Sequence, residues 1–229
     1  MKDILGQALH DLYFQNNPDT LWIHNHYGPK EEMPVETFYR TPDEMPELEL
    51  IALKECRGKV LDIGAGAGSH ALYLQQLGFD VTALDISGMG VKVMKDRGVF
   101  DAVEVDIFAY RESKYDTLLL LMNGIGLAGS LDNLRNLLSH FKTLLKPGGQ
   151  LLFDSSDIAY LYEDDIPEGD QYYGELSYQY EYKDQKTDWF NWLYIDQQTL
   201  TNMATKEGWI VEILFEDEYD QYLVRLTFS

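Results

Sequence analysis

Residues 60–78 read VLDIGAGAGSHALYLQQLG: an apolar run, three glycines at every second position (Gly64, Gly66 and Gly68), and a helix-like stretch closing on Gly78. The run ending in Asp62 and Ile63 has the composition of a buried strand, and the helix opens near Ser69. Glycine accepts positive φ and lets a ligand come close to the backbone. A turn built this way presents N–H groups and a helix N-terminus to something bound above a sheet. Dinucleotides use such a turn in the spacing Gly-x-Gly-x-x-Gly. Here the third glycine falls one position early, at Gly68, and Ser69 stands where the dinucleotide pattern has glycine.

Outward from that turn the chain alternates. From Lys59 onward the short apolar runs KVLDIG, DVTALDI, AVEVDI, DTLLLLM and GQLLFDS are separated by amphipathic stretches, the pattern of βαβ units and a mostly parallel sheet. In DNLRNLLSHFKTLLKPGG, the residues Leu134, Leu137, Leu138, Phe141, Leu144 and Leu145 share one helical face ahead of Pro147 and Gly148. Leu176, Tyr178, Tyr180 and Tyr182 alternate with polar residues, which predicts an antiparallel hairpin turning near Asp184–Lys186, inside an insert at about residues 172–195. A helix over about 196–207 and a second antiparallel pair turning near Asp217–Tyr219 follow. Upstream, helical spacing occurs near Ile4–Phe14 and Glu44–Glu55, among aromatics, prolines and histidines. That segment predicts a lid rather than a sheet.

Composition narrows the partners. A chain of 229 residues that is 45% hydrophobic and 13% aromatic can fill one sizeable α/β core. With 18 basic against 39 acidic residues its formal charge is −21, which repels phosphate backbones and anionic lipid surfaces, so neither nucleic acid nor membrane is expected as a partner. The single cysteine, Cys56, cannot form an internal disulfide, and the polar start has neither a signal peptide's apolar stretch nor a membrane span. A cytoplasmic location is expected. Cys56 itself lies in a helical pattern and reads as a small buried residue.

Acids recur at the ends of successive strands. Asp85 closes the second run at about the offset where a carboxylate meets ribose hydroxyls, and an ionised Asp can accept from both the 2′ and 3′ positions. Asp106 closes the third run and could accept from an adenine amino group, with Ile86 or Ile107 against the ring faces. Asp62, Asp85 and Asp106 together suit a ligand that carries positive charge and no phosphate.

The motifs VLDIGAGAG, VTALDIS, VDIF, YDTLLLLMNGIG and LKPGGQLLFD, in this order from about Gly58 to Ser155, resemble those of class I S-adenosylmethionine-dependent methyltransferases. The flanking MPVETFYRTPDEMPELELIALKECRGK and WFNWLYIDQQTLTNMATKEGW are similar to a bacterial group of small methyltransferase-like proteins of undefined substrate. The resemblance implies a Rossmann-like, seven-stranded, mostly parallel sheet flanked by helices, with the last strand antiparallel to its neighbours. Added to it are the N-terminal helical lid and the extra antiparallel hairpin. The domain reading is a lid over residues 1–56 and a methyltransferase domain over 57–229.

The implied cofactor is S-adenosylmethionine. Asp62 and Gly64 are given to its methionine end, with Ala65, Gly66 and Gly68 in the loop; Asp85 to the ribose; Asp106 and Ile107 to adenine, with Ile86 among the cofactor-binding residues as a candidate for the ring faces; Asn123 and Gly124 to the methyl group. MNGIG departs from the Asn-Pro-Pro-aromatic signature of some amino-methylating relatives, which removes support for base or glutamine methylation and leaves a small-molecule acceptor.

His24, His26 and Tyr39, in the lid, are the candidate general bases. The HNH at 24–26 has no third ligand at suitable spacing, so no metal is expected. The aromatic rows between Tyr172 and Tyr194 read as hairpin packing. Two other functions stay open: a non-catalytic module that binds S-adenosylmethionine or S-adenosylhomocysteine, and an NAD-dependent oxidoreductase, which Ser69 and the acids disfavour. Oligomeric state is left open.

Overall fold

The apolar runs after Lys59 form strands, and the central ones are continuous rather than alternating because both faces of a parallel sheet are buried. The computed structural model describes residues 2–15, 19–162 and 171–228. Its elements are α1 (Ile4–Gln15), β1 (Trp22–His24), β2 (Glu31–Glu32), α2 (Glu47–Glu55), β3 (Lys59–Ile63), α3 (Ser69–Gln76), β4 (Asp80–Asp85), α4 (Gly88–Arg97) and β5 (Asp101–Glu104). They continue as β6 (Tyr115–Leu120), α5 (Leu131–Leu144), β7 (Leu145–Ser156), β8 (Glu175–Tyr182), β9 (Gln185–Lys186), β10 (Phe190–Leu193), α6 (Gln197–Lys206), β11 (Ile210–Glu216) and β12 (Gln221–Thr227).

The main sheet has seven strands in the order β11-β12-β7-β6-β3-β4-β5. β4 pairs with β5 and β6 with β7 in parallel, whereas β12 lies between β11 and β7, antiparallel to both. This is the expected α/β architecture. Two expectations need correction in the second sheet. The N-terminal segment is not wholly helical, since β1 pairs with β2 and, through Trp22↔Glu181 and Ile23↔Tyr180, with β8. Strands of three and two residues are too short to leave a period-two pattern in the sequence. The hairpin turn falls at Lys183–Asp184, both at positive φ, one residue ahead of the predicted window. β9 pairs with only Glu181 and Tyr182, and β8 finds further partners in β1 and β10, so the insert belongs to a five-stranded sheet.

The chain divides into two compact units, Met1–Met45 with Leu61–Tyr110 and Ser177–Phe190, and Pro46–Val60 with Arg111–Leu176 and Asn191–Ser229. In the first, Ile4, Ala8 and Leu9 of α1 pack with Leu21, Val35, Ala67, Val93 and Tyr182, and α1 runs against α4. In the second, the apolar face of α5 is fully buried at Leu134, Leu137, Leu138 and Phe141. Ser130 caps α5 by accepting from the Asn133 N–H, and β7 follows directly from its C-terminus.

Candidate cofactor site

Three backbone hydrogen bonds shape the turn after β3. The N–H groups of Gly64 and Ala65 both donate to Leu84 O on β4, at 2.8 and 3.1 Å, and Gly68 N–H donates back to Ala65 O at 2.7 Å. Gly64, Gly66 and Gly68 all have positive φ, a conformation that costs other residues free energy. Their surroundings give them separate tasks. A Cβ on Gly64 would meet nothing within 4 Å, so this face is open to a ligand. One on Gly66 would lie 3.1 Å from Phe38 Cδ1, and one on Gly68 would press on Met94 and Val99 at 2.9 Å. Gly64 thus leaves space, Gly66 admits an aromatic cover and Gly68 allows α3 to sit close to α4.

Asp62 is the penultimate residue of β3, two positions before Gly64. It is 2% exposed, and burial pushes its carboxyl up to about 6, with the Asp85 charge adding to the shift and His70 opposing it. Its Oδ2 is buried without a hydrogen-bond partner. An orphaned carboxylate oxygen is costly, and a cationic amine donating to it would remove that cost. Asp85 closes β4 with Oδ2 accepting from Gly66 N–H and Oδ1 from Ser87 N–H, both at 2.8 Å. Burial raises its carboxyl too. With one lone pair on each oxygen so engaged, each retains another for a hydroxyl donor. The cap of α4 is Ser87, whose Oγ accepts from Gly90 N–H and donates to Asp3 Oδ2, both at 2.8 Å.

Ile86, beside Asp85, leaves 72% of its surface exposed, whereas Ile107 is buried. Asp106 is exposed and its Oδ1 accepts from Phe108 N–H at 2.9 Å. The structure therefore joins Asp62, Gly64, Ala65, Gly66, Gly68 and Asp85 through the loop and its hydrogen bonds, with Ile86 adjoining Asp85.

Asn123 and Gly124 belong to the second unit, at the turn after β6. Met122 and Asn123 both have positive φ, and Asn123 N–H donates to both oxygens of Asp154 at 3.0 and 2.9 Å. Asp154 also accepts from Gln221 Nε2 at 3.1 Å, and burial raises its carboxyl to about 6. It went unnoticed in the sequence, although an acid in the apolar GQLLFDS run was the available signal.

The three candidate bases do not form a constellation. His24 Nε2 lies 2.6 Å from Glu181 Oε2, and hydrogen bonds from Lys186 and His24 hold that carboxyl down at about 2. His26 stacks on Trp189 at 3.9 Å between ring centroids. Tyr39 donates its hydroxyl proton to Leu9 O at 2.6 Å, and burial pushes the phenol above its ordinary range. Among the described residues no hydrogen bond or ring contact joins any two of the three. Cys56 is buried, with Sγ donating to Ala52 O.

A model of the methyltransferase domain matches residues 37–212. A solved SAM-dependent methyltransferase from Bacteroides fragilis, in complex with S-adenosyl-L-homocysteine, is 43% identical with a TM-score of 0.93, covering 100% of this chain and 95% of its own. The CcbJ methyltransferase of Streptomyces caelestis shares 15% identity with a TM-score of 0.65 over 100% of both chains. A Pyrococcus horikoshii protein shares 19% identity with a TM-score of 0.63, covering 85% of this chain and 96% of its own. These last two likenesses are of fold. No curated protein matches. With the glycine turn, the seven-stranded order and the Bacteroides relative in agreement, the chain belongs to the class I SAM-dependent methyltransferases.

Proposed function

We propose that this protein binds S-adenosylmethionine on the turn after β3 and transfers its methyl group to a small-molecule acceptor. The observation that carries the reading is the buried, unpartnered Oδ2 of Asp62 next to the open face of Gly64. An ammonium group is the donor this oxygen lacks, and the methionine end of the cofactor has one. Asp85 offers its remaining lone pairs to the ribose hydroxyls, and exposed Ile86 offers an apolar surface to the adenine. The family resemblance gives Asn123 and Gly124 to the methyl end.

When bound, the cofactor supplies an electrophilic methyl group on a sulfonium, with the sulfide as leaving group. The residues' work is to hold that group, align the acceptor for in-line attack and keep water out, and orientation of this kind is worth several kcal/mol of a barrier. The acceptor's own pKa decides whether a base is needed. Asp62 and Asp85, together with Asp3 at the N-terminus of α4, place three carboxyl groups near the β3 and β4 ends of the loop. Such a neighbourhood repels a pyrophosphate, which counts against the dinucleotide alternative.

Incubation with methyl-labelled cofactor and a panel of small hydroxyl, amine and carbon acids tests the proposal. Label should pass to at least one acceptor with the native chain and fail to do so with Asp62→Asn. A chain that binds cofactor tightly and labels nothing would favour the non-catalytic binding module.

A further inference from the structure

One side chain reaches both the glycine turn and its aromatic cover. Arg97, in the last turn of α4, donates through Nη1 to Ala67 O at 2.6 Å and to Ser69 Oγ at 3.3 Å. Ala67 lies between Gly66 and Gly68 and is completely buried. The same guanidinium sits 4.9 Å from the ring centre of Tyr39. Ser69 Oγ in turn donates to Phe38 O at 2.8 Å, and the Phe38 ring lies over Gly66. Tyr39 is tied to α1 through Leu9 O and stacks on Tyr13 with an interplanar angle of 4°.

Arg97 has no carboxylate partner among the described residues, and burial lowers its pKa. A partly buried guanidinium without an anion is poor stabilising design, because its desolvation is not offset by an ion pair. Its placement is nevertheless specific: a forked group that bonds a backbone carbonyl and a hydroxyl while lying over a ring, which the single ammonium of lysine matches less well. Ser69 is the residue that broke the dinucleotide pattern, and here its hydroxyl fastens the cover to the turn.

We propose that Arg97 is a positioning residue that latches the Phe38–Tyr39 segment onto the glycine turn, so that the cofactor enters and leaves only when this latch opens. The inference rests on the reading that the turn holds the cofactor. It assigns Ser69 the second tether, acting through the hydroxyl that Arg97 also touches, so the two should not behave as independent sites.

The test measures association and dissociation rates of S-adenosylhomocysteine by surface plasmon resonance for the native chain, Arg97→Gln, Arg97→Lys, Ser69→Ala and the Arg97→Gln/Ser69→Ala double variant. It also follows chymotryptic cleavage after Phe38 and Tyr39 with and without that ligand. Arg97→Gln should dissociate about tenfold faster, the scale expected for one hydrogen bond to a charged group, with association no slower. Cleavage should quicken and protection by ligand weaken. Arg97→Lys should fall between, Ser69→Ala should shift the same way by less, and the double variant should lose less than the sum of the two single losses.

Dissociation and cleavage rates within twofold of native in folded Arg97→Gln would overturn the latch. If that variant does not fold, native rates in Ser69→Ala would overturn it instead. A native chain that fails to bind S-adenosylhomocysteine would overturn the proposed function, and with it the gating of the cofactor. Cleavage of the ligand-free chains would still read whether Arg97 holds the segment down.

Discussion

Asp62 carries a consequence that depends on pH. Its carboxyl sits at about 6, above the ordinary carboxylate value, so in the free protein the protonated form gains population below about 6. A ligand ammonium selects the ionised form. Affinity for S-adenosylhomocysteine should therefore be full above about 6 and fall as pH drops below it, with proton release on binding in that window. Calorimetry in buffers of different ionisation heat measures both, and Asp62→Asn should reduce the dependence, leaving only what Asp85 contributes, whose carboxyl burial also raises. Asp85→Ala should weaken binding by about 1.5–3 kcal/mol, the range for hydrogen bonds to charged groups; unchanged affinity in the folded variant would remove its ribose role. Both acids were legible because each ends an apolar run beside a glycine turn or a helix start. Arg97 and Asp154 were not, since their partners lie 30 and 31 residues away and only the folded chain brings them together.

At the scale of elements, periodicity succeeded wherever an element was long enough to repeat. The five buried residues of α5, from Leu134 to Leu144, lie on the face that the sequence had marked. Leu138→Ala should therefore destabilise the protein by about 2–5 kcal/mol in urea unfolding. Exposed Arg135→Ala should change stability by less than about 0.5 kcal/mol. The same logic explains the misses. β1 and β2 are shorter than one period-two repeat unit can reveal, and β8 alternates because it has two faces, whatever strand pairs with it. Alternation marked the strand correctly and left its neighbours unspecified. The lid was accordingly expected as helix, although part of it forms sheet.

For the whole molecule, the order of motifs gave the α/β fold because each βαβ unit must bury its strand and helix against the next. The final pair, β11 and β12, follows the family pattern with β12 antiparallel to both neighbours. Charge acts at this scale too. A formal charge of −21 combines with carboxylates around the glycine turn to favour a ligand with a cationic methionine end over one with a pyrophosphate. The most direct measurement is calorimetric titration of the full chain with S-adenosylmethionine, S-adenosylhomocysteine and NAD in parallel. Saturable binding of the first two at about micromolar affinity, with none of the third, is the expected result; binding of NAD alone would overturn the cofactor assignment.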